Sequence, residues 1–291
     1  MDPKRFHEII ETLYLHRRND SIKSDFGRTL IIGGSLRYPL SVLISAKACY
    51  FSSNGYTALC VPKEIYVPIV SRMNSTQIIE PLVTEEGSFD PDQELGMLNR
   101  YDSLLFGNGV EDSMLNRAFL KRLLEVYSHN LILDATGLKL LSEDLDMLER
   151  RNGNSTLLLT PHMKEASLLF KREETTREPE DLAETATVFC RRYHLNLLLK
   201  SAHSIYFTSE GLQYPLFYED SRNLAKAGSG DGLSGYLAGI LAYGDKKVGY
   251  DDAIRFADLM VHHAANEALK KKGMTSSVLD AIEEIENLTK E

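Results

Sequence analysis

Cysteine is scarce in this 291-residue chain: Cys49, Cys60 and Cys190 lie far apart and form no Cys-x-x-Cys pair. An odd, scattered set excludes a disulfide framework and a cysteine zinc site, and predicts buried free thiols in a reducing compartment. Long apolar runs are also missing, so no membrane-spanning helix is expected. Residues 1–18 are charged and amphipathic without the apolar centre of a signal peptide, and the expected location is the cytoplasm. An excess of basic residues is lacking too. The net charge of −9 argues against nonspecific nucleic-acid binding, and any phosphate site must be made positive locally. Gly-x-Ser-x-Gly and the Walker lysine motif are absent as well.

What is present suits a soluble protein with a sizeable core: 43% of residues are hydrophobic and 26% charged. Short apolar runs at 28–34, 56–61, 103–106, 130–134, 155–160 and 195–200 alternate with helical patterns, among them 39–51 and 113–127. That alternation predicts an α/β fold, a mostly parallel central sheet with helices on both faces. Residues 205–207 and 213–217 flank Ser209-Glu-Gly211 and predict an antiparallel hairpin at one edge. Helix is expected from Gly230 onward, broken near Gly244 and Gly273, and 171–181 reads as a charged loop or helix entry. With no linker composition and no internal repeat, one domain over 1–291 is expected.

Gly228-Ser229-Gly230-Asp231-Gly232 is the most informative segment. A glycine-rich turn opening an apolar-periodic helix (Leu233, Leu237, Ile240, Leu241) lets backbone N–H groups converge on an anion, helped by the helix dipole. A carboxylate beside bound phosphate is repelled unless it handles a proton or a metal, so Asp231 points to phosphate chemistry. The plain alternative is a flexible turn with Ser229 or Asp231 as helix cap. Gly230-x-Gly232-x-x-Gly235 also matches a dinucleotide fingerprint, with Asp251 at the demanded distance, but residues 223–227 contain no β-branched residue and do not read as the strand that fingerprint needs.

In open parallel sheets chemistry gathers at the carboxyl ends of the strands. Gly34-Ser35, Gly107-Asn-Gly109, Asp134, Thr160-Pro-His162-x-x-Glu165 and Lys200-Ser201 should share one sheet edge with the glycine turn. His162 suits either a binding site or a helix cap. Lys200 ends the most apolar strand and must escape burial or meet an anion, here phosphate. For Asp134, capping of the next helix is favoured over catalysis. His262, His263 and Glu267 share a helix but lack the His-Glu-x-x-His arrangement, so no protein metal site is expected.

Taken in order, Lys23-Ser-Asp-Phe-Gly-Arg28 leading to Leu30-Ile-Ile-Gly-Gly-Ser35, Gly107-Asn-Gly109, Leu133-Asp-Ala135, Leu159-Thr-Pro-His162, Leu199-Lys-Ser201 and Leu224-Ala-Lys-Ala-Gly-Ser-Gly-Asp231 resemble the ADP/ATP-dependent NAD(P)H-hydrate dehydratases, a ribokinase-like family. The resemblance spans about residues 23–265. It implies a lyase that restores NADH or NADPH from the S form of the hydrated cofactor, using ADP or ATP with Mg2+. By resemblance Asp231 is catalytic, taking the substrate hydroxyl's proton, and Ser41, Gly109, His162 and Asp231 contact the hydrated dinucleotide. Lys200, Ser201, Ala202, His203, Ser204, Gly228, Ser229 and Gly230 would contact the nucleotide. A homo-oligomer, commonly a tetramer, is implied, and the epimerase domain fused to some relatives is expected to be absent.

The chain departs from the family pattern at three places. Leu40-Ser41 stands for the usual Gly-Ala, where the leucine should crowd the substrate; Gly107-Asn-Gly109 stands for Gly-Pro-Gly; and Tyr218-Glu-Asp-Ser-Arg-Asn223 stands for Asn-x-Thr-Gly-Asn. Two rival readings use the same anion turn: a ribokinase-like kinase of a vitamin precursor or sugar alcohol, and a divergent, non-catalytic nucleotide-binding relative.

Overall fold

In the computed structural model, which describes residues 1–73, 77–171 and 178–290, the first apolar runs become β1 (Arg28–Ile32), β2 (Tyr56–Cys60) and β3 (Gln77–Ile79). A small pair, β4 (Thr84–Glu85) and β5 (Ser88–Phe89), precedes β6 (Ser103–Phe106), β7 (Asn130–Leu133), β8 (Thr156–Leu159) and β9 (Asn196–Leu199). β10 (Ile205–Phe207) and β11 (Gln213–Pro215) complete the series. Nine strands form one sheet in the order β11-β10-β9-β8-β7-β6-β1-β2-β3, parallel from β9 to β3, with β10 and β11 as the antiparallel edge expected from the hairpin pattern. The parallel strands read as unbroken apolar runs because both faces are covered.

The helices are α1 (Pro3–Ile10), α2 (Ser41–Phe51), α3 (Tyr66–Val70), α4 (Met114–Val126), α5 (Thr136–Glu143), α6 (Met163–Leu169) and α7 (Ala183–Tyr193). The tail forms α8 (Ser229–Leu241), α9 (Asp245–Val248), α10 (Tyr250–Lys272) and α11 (Val278–Leu288). Strand side chains alternate between two cores. Leu105 and Ile132 face α1, α2, α8, α10 and α11, whereas Leu104, Phe106, Leu131 and Leu133 face α4, α5, α6 and α7. The helix expected from residue 39 begins at Ser41, because Pro39 and Leu40 complete the turn leaving β1. Of the charged segment 171–181, residues 172–177 lie outside the described residues, and Pro179–Leu182 forms a 3-10 turn entering α7.

α8 and α2 pack closely. A Cβ on Gly235 would stand 2.2 Å from the Ser45 carbonyl oxygen, so only glycine permits the contact. This crossing brings the N-termini of both helices to the same sheet edge. All three cysteines are free and buried. Among the described residues no helix is long and apolar enough to cross a membrane.

Candidate active site

The parallel strands deliver their polar ends to one place. β8 runs into Thr160-Pro161-His162 and β9 into Lys200, and the Lys200 N–H donates to the Pro161 carbonyl at 2.8 Å, extending the ladder past both strands. β7 ends at Asp134, whose Oδ1 accepts from Lys200 Nζ at 2.6 Å; the Asp134 side chain is 2% exposed. One expectation changes here: Asp134 caps no helix, its side chain serving instead as the carboxylate that Lys200 meets within the protein. α5 starts from Ala135, which adopts a left-handed φ of 48°; this sharp turn leaves Asp134 facing the lysine 66 positions away in sequence.

α8 opens at this edge without a capping side chain. Its N-cap is Gly228 at φ 91°, a conformation suited to glycine, so neither Ser229 nor Asp231 takes the cap role. The first N–H groups of any helix lack intrahelical acceptors and are available to an anion. Ser229 Oγ is buried with no hydrogen-bond partner, and a Cβ on Gly230 would lie 3.3 Å from Lys200 Nζ, so the glycine keeps the space over the lysine clear. A 3-10 turn (Arg222–Leu224), not a strand, leads toward α8, which removes the dinucleotide-fingerprint alternative.

The α8 N-terminus separates two cavities. One, of about 500 Å3, is lined by His162, Lys200, Ser201, Ser204, Ser229 and Gly230. The other, of about 760 Å3, is lined by Ser41, Gly109, Ala135, His162, Gly228 and Asp231. Of the predicted nucleotide residues, Gly228 falls in the second cavity, and Ala202 and His203 line a third, adjoining space of about 490 Å3. Leu40 lines the second cavity beside Ser41, where it was expected to crowd the substrate; the residue is 42% exposed and also borders an outer groove.

Charges at this edge are mutually perturbed. Burial, then the negative Asp134, pushes Asp231 up to about 7, against a hydrogen bond from Ser41 and the charge of Lys200. Burial likewise raises Glu165 to about 7, with Lys200 opposing and Asp134 reinforcing. Burial works against the Lys200 charge, but Asp134 and Glu165 outweigh it and hold the ammonium above its ordinary value. His162 lines both cavities and caps α6. Its Nδ1 accepts the N–H groups of Lys164 and Glu165 at 3.1 and 3.2 Å, while Glu165 Oε2 accepts the His162 N–H at 2.8 Å. With Nδ1 acting as acceptor, the proton sits on Nε2, and burial followed by Lys200 lowers the imidazole's pKa. Nε2 stands 3.5 Å from Glu165 Oε1, and the ring lines both cavities.

Several site residues went unassigned in the sequence. Asn108, in the middle of Gly107-Asn-Gly109, is fully buried and donates to Ser45 and Ser234, both at 2.8 Å, tying the β6 end to α2 and α8. Asp258 is fully buried and accepts from Tyr218 Oη at 2.8 Å, and Tyr218 stacks on His262 with ring centres 3.6 Å apart. Burial raises Asp258 to about 7 and, with His263, lowers His262 to about 4. The available signal was Asp258 on the apolar stripe Ile254, Val261, Ala265, an unlikely place for a solvated charge. Among the described residues no cluster of three His, Cys, Asp or Glu side chains could hold a metal.

Comparison with known proteins identifies a family for the chain. The family model described as NAD(P)H-hydrate dehydratase matches residues 29–287. A bifunctional NAD(P)H-hydrate repair enzyme of Dictyoglomus turgidum is 29% identical over 228 residues, 76% of this chain and 43% of that protein, so the chain spans about half the length of such curated relatives. An ADP-dependent (S)-NAD(P)H-hydrate dehydratase of Staphylococcus aureus is 26% identical over 237 residues, covering 79% of this chain and 78% of that protein. Solved structures share the ribokinase-like architecture. One is an ADP/ATP-dependent NAD(P)H-hydrate dehydratase from Bacillus subtilis co-crystallized with ATP/Mg2+, at TM-score 0.73 and 17% identity over 98% of this chain and 97% of that one.

Proposed function

The chain belongs to the NAD(P)H-hydrate dehydratase family, and from that premise we propose that it dehydrates the S form of hydrated NADH or NADPH, driven by ADP or ATP. The observation that carries this reading is the first turn of α8. It offers Ser229 and Gly230 to one cavity and Asp231 to the other, so a nucleotide and an alcohol can meet across it.

The nucleotide supplies the phosphoryl group that turns hydroxide into a good leaving group. Asp231, beside Ser41 in the same cavity, takes the proton of the substrate hydroxyl as that oxygen bonds the terminal phosphorus and the bond from phosphorus to the bridging oxygen breaks. N–H groups at the start of α8 hold the charge that develops on the phosphoryl oxygens, and Lys200 supports them from below, fixed by Asp134. His162, whose Nδ1 is taken by two backbone N–H groups and whose Nε2 stands 3.5 Å from Glu165 Oε1, would turn Nε2 between the two ligands. The ring nitrogen's lone pair then expels phosphate, and loss of a proton from the adjacent carbon restores the dihydropyridine. The unpartnered Ser229 Oγ and the clear space above Gly230 suit a phosphate chain. Magnesium would enter on those phosphates, which it binds with few protein ligands, and would neutralise phosphate charge.

The same reading places the protein in the cytoplasm as a homo-oligomer of single-domain chains. Three free buried thiols support the compartment. An exposed apolar groove of about 490 Å3, lined by Leu40, Leu43, Ile44, Tyr50 and Leu279, supports assembly. The test is recovery of NADH absorbance from hydrated NADH with ADP and ATP supplied separately. Recovery that needs one of them supports the dehydratase. A stable phosphorylated alcohol from a substrate panel, without recovery, would favour the kinase.

A further inference from the structure

A nucleoside di- or triphosphate brings several negative charges to a chain whose net charge is already −9. The cations lining the cavity beside Gly230 are mostly spoken for. Lys200 is paired with Asp134 at 2.6 Å and flanked by Glu165. His162 has Nδ1 taken by two backbone N–H groups and Nε2 3.5 Å from Glu165 Oε1. His262 has Nδ1 against Ser221 Oγ at 2.7 Å and its ring stacked on Tyr218.

Lys226 differs from all three. It lines the same cavity, two residues ahead of the Gly228 turn. Its Nζ donates to the backbone carbonyls of Met274 and Ser276, each at 2.5 Å, and to no carboxylate among the described residues. An ammonium has three donors, so two hold the side chain in place and the third is open. The two carbonyls belong to the turn between α10 and α11, beyond the negative end of the α10 dipole, which favours a cation there. Asn223 fastens the same loop to the same turn, donating to Ser276 Oγ at 2.9 Å and to the Ala265 carbonyl at 3.0 Å. The cation is therefore pre-positioned and not neutralised by a partner.

We propose that Lys226 is the counter-charge for the nucleotide's phosphates, its third N–H directed at the phosphate chain gathered on the α8 N-terminus while Met274 and Ser276 hold the other two. This rests on the nucleotide-dependent reading above, and a phosphate ladder separates the two. Adenosine, AMP, ADP and ATP are titrated calorimetrically into the full chain, wild type, Lys226→Met and Lys226→Arg. Lys226→Met should weaken ADP and ATP by about ten- to a hundred-fold, as expected for a charge-assisted hydrogen bond, weaken AMP less, and leave adenosine unchanged; Lys226→Arg should restore most of the loss. Equal losses for adenosine and ATP would reduce Lys226 to a loop tie and overturn the proposal, as would unchanged ATP binding in Lys226→Met. A wild-type protein that binds neither ADP nor ATP would overturn the nucleotide-dependent function itself.

Discussion

β7 and β9 each begin on an asparagine and each run into a charged residue, so the same two strands allow the ends of the sheet to be compared. At the amino end, Asn130 Nδ2 donates to the Leu241 carbonyl at 2.8 Å and to Asp245 Oδ2 at 2.9 Å. Asn196 Oδ1 accepts from Tyr206 Oη and the Ser209 N–H, both at 3.1 Å. These asparagines pin helix and hairpin to the sheet. At the carboxyl end, Asp134 and Lys200 pair tightly, but Asp231 and Glu165 are crowded by burial and by Asp134, and Ser229 Oγ has no partner. Polar groups that satisfy one another fasten structure, whereas groups held in perturbed protonation states or left open mark the place where a ligand completes them.

The largest effect that would sharpen this contrast is at Asp231. Asp231→Asn keeps the shape but cannot take a proton, and turnover should fall about a hundred- to ten-thousand-fold with nucleotide affinity retained. Because burial and Asp134 place Asp231 at about 7, wild-type turnover should rise as pH passes that value and the carboxylate forms. A mutant with wild-type turnover would remove Asp231 from the chemistry. Next comes Gly230→Val, which puts methyl groups where even a Cβ stands 3.3 Å from Lys200 Nζ. Overpacking of this kind costs about 1–3 kcal/mol, and calorimetry should show nucleotide affinity and turnover falling together; unchanged affinity in a folded variant would move the anion site elsewhere.

Asp258 extends the contrast to stability. Its carboxyl is raised from 3.8 to about 7, first by burial, so the folded state resists ionising it. The unfolded chain then holds fewer protons between those values, and stability should decline as pH rises from about 4 to 7 and level off above. Asp258→Asn should flatten that decline, gaining on the order of 1–3 kcal/mol at pH 8 in denaturant melts; an unchanged pH profile would deny Asp258 the shift. The smallest change is expected at the opposite end of the sheet. Asn130→Ala should cost about 1 kcal/mol, since water in the open polar cleft there can replace the amide, with kcat unchanged. A drop in kcat would break the division between the two ends.

Much of this was legible along the chain, because period and turn chemistry are local. The runs 104–106 and 131–133 are apolar because both faces of a parallel strand are buried, and the glycines of 228–232 announce a helix entry, although only the fold showed that neither Ser229 nor Asp231 caps it. The list of polar strand ends followed from the alternation of strand and helix. The partners of those side chains did not. Asp134 looked like a helix cap until the fold set it against Lys200, and Ala202 and His203 face a neighbouring space that Ser201 also borders, apart from the cavity of Lys200 and Ser204. Asp258 needs Tyr218, brought from 40 positions away, to have any meaning. Local sequence determined which elements form and where their ends lie. Which charges meet, and how far burial moves their protonation, was decided only by tertiary structure, because desolvation and Coulomb energies depend on neighbours that the chain supplies from distant segments.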